Sequence, residues 1–140
     1  MNLEESRKLL SHPVYGTKAK PRGYNVPVTV VGACSARDGA NLLMRFNPQW
    51  TREDHTKLAR AHEEAARLRQ EFWDHEAESA AMDAFGRPYR ITDYQISGIA
   101  CDLFTESHKV ALRDHLHSAS KHRVLAVCHQ AAATTRKALQ

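Results

Sequence analysis

A ten-residue stretch near the N-terminus, YGTKAKPRGY, contains the residue types of a phosphate-binding arm. Lys18, Lys20 and Arg22 occupy alternate positions, so an extended backbone would place the three cations on one side. Tyr15 and Tyr24, at the two ends, could stack on nucleic-acid bases. Loops rich in Gly, Pro and Lys have the same composition, so the alternative of a solvated link between two ordered elements stays open.

Further cations in the first 50 residues favour the phosphate-binding interpretation. The chain has a net charge of +4, and residues 1–50 hold seven Lys/Arg against three Asp/Glu. Basic residues at the turn and edge of a predicted hairpin would extend the positive surface of the arm. We therefore predict a nucleic-acid-binding surface made of Tyr15, Lys18, Lys20, Arg22, Tyr24, Arg37 and Arg45.

The nine histidines raise the question of a metal site, and four of them, His108, His115, His122 and His129, recur every seven residues. In one continuous helix they would form a stripe with neighbours about 10 Å apart along the axis. Zinc binds its ligands at about 2 Å, so neighbours in the stripe would not share an ion. The segment HSASKH is expected to interrupt the helix and make the register accidental. We predict surface or packing roles for the histidines, and neither a metal site nor a cofactor.

Enzyme motifs are absent from the chain. It contains no G-x-S-x-G nucleophile motif and no Gly-rich phosphate loop. The three cysteines, Cys34, Cys101 and Cys128, have neither metal-clip nor redox spacing. No apolar run approaches the roughly 20 residues that span a bilayer. We expect a soluble, cytoplasmic, non-enzymatic protein that has reduced thiols.

The segment from residue 28 to residue 46 predicts a β-hairpin. VTVVGAC, residues 28–34, is rich in β-branched residues, and SARDG contains an Asp-Gly turn signal. In NLLMRF, residues 41–46, Leu42, Met44 and Phe46 alternate with the other side chains, as in a strand. With the helices described below, the prediction is an α+β fold with one hairpin or small sheet, four to five helices and a single domain, 1–140.

A long helix is predicted at residues 52–84. Thr51 and Asp54 form a capping box before it, and Gly86 is a plausible stop. Its apolar positions suggest a weak heptad seam whose partner is an antiparallel helix of the same chain or a second copy in a homodimer. A break near Trp73 is the alternative. The predicted packing residues are Leu58, Leu68, Phe72, His75 and Met82, of which His75 could tune a helix contact near pH 6.5.

Cap signals place the remaining helices. Asn2 and Glu5 form a capping box that opens a short helix to about Leu10. A similar signal opens a helix in TDYQISGIACDLF, residues 92–104. Thr105 and Ser120 are predicted to cap two further helices, 106–118 and 121–138.

These features favour a small binding or regulatory protein that acts on nucleic acid or a nucleoprotein complex, such as an accessory protein of a phage or plasmid. The alternative is a protein–protein inhibitor or adaptor that uses the helix in residues 51–83, which hold nine Asp/Glu against five Lys/Arg. A histidine-based metal protein or enzyme is the third hypothesis.

Overall fold

The fold is built on two long antiparallel helices. The computed structural model describes residues 1–10, 30–88 and 104–139, with side chains to residue 136. Within them lie four helices: α1 (Leu3–Leu10), α2 (Ala36–Phe46), α3 (Arg52–Phe85) and α4 (Glu106–Leu139). α3 and α4 pack along each other, α1 packs on α3, and α2 packs on α4.

The predicted β-hairpin is wrong, because the described part of the chain contains helices and no strand. Val30 and Val31 are helical, and residues 41–46 belong to α2. Residues 28 and 29 of the first expected strand lie outside the described residues. The fold of the described residues is therefore a helical bundle, which replaces the α+β prediction.

A missed N-cap explains this error. Ser35 has an extended backbone, and its hydroxyl accepts a hydrogen bond from the Asp38 amide at 3.2 Å. The Asp-Gly pair therefore lies in the first turns of a helix, where an acidic residue is favourable. Ala40, Leu43 and Asn47 are buried, which is a helical spacing. The strand-like alternation in residues 41–46 covers only six residues, which is too short to exclude a helical period.

The predictions for α1 and α3 are confirmed. Asn2 and Glu5 exchange hydrogen bonds at the start of α1, with lengths of 3.0 and 2.9 Å. Thr51 and Asp54 form the expected capping box, and α3 runs unbroken through Trp73. Gly86 ends α3 with φ of 68°, in the left-handed region that favours glycine.

The prediction of two helices after Thr105 is wrong, because α4 is a single helix of 34 residues. The Thr105 hydroxyl accepts from the His108 amide at 3.3 Å, as expected for a cap. Ser120 lies inside the helix, next to the buried residues Ser118 and Ala119. The local cap preference of one serine, about 1 kcal/mol, is outweighed by packing along the whole of α3. The helix predicted at residues 92–104 lies almost wholly outside the described residues.

Two apolar clusters lie at opposite ends of the α3–α4 pair. One contains Val30, Leu43, Leu125 and Cys128, and joins α2 to α4. Gly39 permits this close approach, since a Cβ atom there would lie 2.4 Å from the Cys128 Sγ. The other cluster contains Ala77, Ala80, Ala81, Phe104 and Leu112. The interface of the two long helices also buries polar side chains, which include four histidines and Arg69.

Candidate functional site

Matching polar stripes of α3 and α4 meet inside the bundle. Each stripe has a period of seven residues, and the helices are antiparallel, so each member faces one counterpart. The facing pairs are His55 with His129, His62 with His122, Arg69 with His115, and Glu76 with His108.

Four of these residues, His55, His62, His122 and His129, form what we call the histidine ladder. All four have no exposed surface. The Nδ1 atoms of His55 and His129 lie 2.9 Å apart, and those of His62 and His122 also lie 2.9 Å apart. The His62 and His129 rings stack with centroids 5.7 Å apart, which joins the two pairs. Trp50 covers the outer end, 5.5 Å from both the His55 and His129 rings.

Alanine allows the two helices to approach closely around the ladder. Ala59 and Ala66 lie four residues after the two ladder histidines of α3, and Ala126 and Ala133 lie four residues after those of α4. All four alanines are buried. The heptad interface therefore alternates imidazole with methyl, where an ordinary coiled coil would carry larger apolar side chains.

Arg69 lies at the centre of the stripe and is only 1% exposed. Its Nε donates to the Ser6 Oγ at 3.3 Å, and its Nη1 donates to the Asp114 carboxylate at 3.2 Å. The same Nη1 lies 3.2 Å from the Nδ1 of His115. Ser6 also contacts the Nε2 of His122 at 3.1 Å. The guanidinium thus links α1 to both long helices and to the inner end of the ladder.

The far end of the stripe carries a group that we call the carboxylate latch, made of Glu76, Asp83 and His108. The His108 Nδ1 lies 2.7 Å from Glu76, and its Nε2 lies 2.6 Å from Asp83. Both ring nitrogens must be donors for these bonds, so the ring is an imidazolium. The hydrogen bonds to Asp83 and Glu76 raise the pKa of His108 above its ordinary value of 6.5.

The two ladder histidines of α4 have the opposite shift. Burial, reinforced by the neighbouring imidazoles of His62 and His55, lowers the pKa of His129 to about 2. Burial and the nearby charge of Arg69 lower the pKa of His122 to about 4. These rings are therefore neutral near pH 7.

Two further histidines of the stripe are also shifted downward. Burial lowers the pKa of His55, and the Arg136 cation adds to this effect. Burial also lowers the pKa of His115, and the Arg69 cation acts in the same direction. The positions of His55, His115, His122 and His129 thus all disfavour imidazolium.

The ladder is compatible with neutral rings and not with full protonation. A neutral imidazole has one N–H donor and one bare acceptor nitrogen, so one ring of each pair can donate to the other. When both rings carry two protons, both Nδ1 atoms become donors that face each other at 2.9 Å. Each pair then loses its hydrogen bond and gains repulsion between two buried charges.

A metal centre is not formed by this arrangement. Among the described residues, no three His, Cys, Asp or Glu side chains are grouped so that they could hold one ion. In the latch, the two carboxylates lie on opposite sides of the His108 ring. The absence of structural zinc stays a prediction for the whole chain.

The structure does not describe most of the residues that were predicted to bind nucleic acid. Tyr15, Lys18, Lys20, Arg22 and Tyr24 lie outside the described residues. Arg37 and Arg45 are exposed on α2.

The packing residues predicted on α3 are only partly in the interface. Leu68 is buried, and Leu58 and Phe72 are half-buried. His75 and Met82 are exposed. The seam that faces α4 is offset from the predicted one and carries the ladder.

Sequence reasoning missed the ladder, although the chain contains a signal for it. His55 and His62 are seven residues apart on α3, the same interval as in the stripe of α4. Two matching stripes on two long helices indicate a shared interface, whereas one stripe alone does not.

In comparisons with known proteins, no family model, curated protein or solved structure matches this chain. No helix in the described ranges is both long and apolar enough to cross a bilayer.

Proposed function

We propose that this chain is a non-enzymatic regulatory protein in which the α3–α4 hairpin senses acidification. The observation that carries the proposal is the pair of Nδ1–Nδ1 contacts, both 2.9 Å, inside a ladder that has no exposed surface. Histidine is the side chain whose ordinary pKa lies nearest to physiological pH, so a buried array of it converts a pH change into a change in stability.

The polar interior supports a regulatory role because it is an unusual choice for a helix pair. Apolar heptad residues would stabilise two long helices without any dependence on pH. Four imidazoles and the Arg69 guanidinium stand in these positions and must be hydrogen-bonded to be tolerated. Switching and register are the best-attested uses of buried polar groups.

The direction of the response follows from the pKa shifts. The folded-state pKa values of His122 and His129 are about 4 and about 2, below the ordinary 6.5. Their contribution to stability is therefore complete above pH 6.5 and is lost as the pH falls toward those values. His108 has a raised pKa and contributes most below pH 6.5, so it does not weaken as the pH falls from 6.5 to about 5.

The target of such a regulator stays a prediction. Nucleic acid remains a candidate through the segment Tyr15–Tyr24, with Arg37 and Arg45 exposed on α2. A protein partner remains the alternative, since the second half of α3 exposes Glu71, Asp74 and Glu78. In either case, opening of the hairpin would change the surface offered to the target.

Urea unfolding at a series of pH values tests the proposal. Each strongly shifted histidine costs about 1.4 kcal/mol per pH unit below its unfolded pKa. The free energy of unfolding should therefore fall by roughly 3 kcal/mol between pH 6.5 and pH 5 from His122 and His129 together.

The control is a double variant, His75→Asn with His117→Asn, which alters two exposed histidines of the same helices. It should show the same fall as the parent chain. A free energy of unfolding that stays level from pH 7 to pH 5 would exclude the proposed function.

A further inference from the structure

We infer that acidification opens the α3–α4 hairpin from the end covered by Trp50, while the carboxylate latch keeps the opposite end closed. The inference rests on the proposed function and adds a direction to it. It depends on the charges that surround each end, on one unsatisfied nitrogen and on the path of the chain.

Charges near the ladder give an added proton little compensation. The Ser6 hydroxyl from α1 and the Cys128 thiol beside His129 are neutral, and burial raises the pKa of that thiol. Among the described residues, the Asp54 carboxylate acts on His55, and those of Asp114 and Glu76 act on His115. Cations act on it from α1, α3 and α4, namely Arg7, Arg69 and Arg136.

The outermost ladder pair is also the least satisfied. The Nε2 atom of His55 is buried and has no hydrogen-bond partner among the residues that the structure describes. A proton placed there would have no acceptor, whereas the inner pair has the Ser6 hydroxyl at the Nε2 of His122. Buried polar atoms without partners destabilise their surroundings, so the His55–His129 layer should separate first.

The latch end has the opposite electrostatic balance. His108 already carries its second proton and lies between Glu76 and Asp83, so mild acid adds no charge there. The apolar cluster that contains Phe104 and Leu112 lies in the same region.

The path of the chain favours the same direction of opening. α3 ends at Phe85 and α4 begins at Glu106, so the chain between them joins the helices at the latch end. This end should therefore serve as the hinge.

Hydrogen exchange measured by mass spectrometry on the full chain tests the direction. Exchange is compared at about pH 7 and about pH 5, after correction for intrinsic rates. Amides of residues 55–66 and 122–133 should lose protection by about tenfold per pH unit for each proton taken up. Amides of residues 73–84 and 106–112, a range that leaves out the downward-shifted His115, should lose protection by less than about threefold per pH unit.

A latch variant sharpens the test. In His108→Gln, both ends should lose protection to a similar degree at about pH 5, whereas His117→Gln, an exposed change on the same helix, should keep the asymmetry. If His108→Gln folds poorly, Asp83→Asn removes only one of the two latch bonds and should reduce the asymmetry partially.

The outcomes separate this inference from the proposed function. Equal loss of protection at both ends of the parent chain, together with an acid-dependent fall in stability, overturns the direction of opening and leaves the pH response intact. Loss that begins at the latch end also overturns it. No loss of protection at either end overturns both proposals.

Discussion

The histidine ladder and the carboxylate latch lie on the same two helices and use the same residue type, but they need opposite protonation states. His108 belongs to the same seven-residue stripe of α4 as His122 and His129. It has two carboxylate partners, whereas the ladder histidines face other imidazoles in a fully buried interior. The difference shows that position in the stripe does not determine the charge of a histidine. Its burial and the residues that face it on α3 do.

The comparison also explains how one interface can respond to acid without losing all its contacts. The ladder loses stability as the pH falls below 6.5, because the folded-state pKa values of His122 and His129 are low, and the lowered pKa of His115 beside Arg69 acts in the same direction. The latch retains its ion pairs in the same range. Arg69 separates the two regions and adds a permanent positive charge beside the inner ladder pair.

Among the variants that test the comparison of the ladder with the latch, removal of Arg69 should lower the free energy of unfolding most. Arg69→Ala leaves a cavity and deprives Ser6, Asp114 and His115 of a partner. We expect a loss of about 3–5 kcal/mol in the free energy of unfolding, measured with urea at about pH 7. Arg67→Ala, an exposed change two residues away, should have little effect. A similar result for the two variants would show that Arg69 and its hydrogen bonds do not stabilise the bundle.

Replacement of the two ladder histidines of α4 should remove part of the acid response. In the double variant His122→Asn with His129→Asn, the side chains no longer titrate, although the lost packing should lower stability at about pH 7 by a few kcal/mol. The fall in unfolding free energy between pH 6.5 and pH 5 should shrink by roughly 3 kcal/mol relative to the parent chain. An unchanged fall in this variant would assign the acid response to other groups.

Disruption of the latch should have the smallest effect on stability. His108→Gln removes two ion pairs, each with a partly exposed partner, so we expect a loss of about 1 kcal/mol at pH 6. The deficit relative to the parent chain should shrink as the pH rises through the raised pKa of His108, because the parent then loses its imidazolium too. Urea unfolding at pH 6 and pH 9 measures the difference, and a deficit that grows toward pH 9 would contradict the assignment.

Elements with strong local signals were predictable from the sequence. The capping boxes at Asn2 and Thr51 and the glycine at position 86 act within a few residues, and each is found where expected. The helix α2 also has a local signal, the Ser35 N-cap, but the Asp-Gly pair was interpreted as a turn. A short alternation of Leu42, Met44 and Phe46 fits a strand, and the Ser35 cap together with packing against α4 decides for a helix.

The ladder depends on contacts between residues far apart in the chain, which explains why the sequence did not reveal it. His55 meets His129 across 74 positions, and His62 meets His122 across 60 positions. A search for an apolar seam follows Leu58 and Leu68 and passes over the alternating histidine and alanine positions. We also expected a helix break at HSASKH. With that break, the seven-residue spacing of the α4 histidines appears accidental and does not indicate a shared interface.

The most direct test of the account is an NMR titration of the histidine rings, with the four stripe histidines of α4 assigned individually. The account predicts that the His108 ring is still an imidazolium at pH 6.5 and loses its proton only above that pH. It also predicts that the rings of His122 and His129 stay neutral to about pH 5 for as long as the chain is folded. Titration of all four rings together near pH 6.5 in the folded protein would contradict the account.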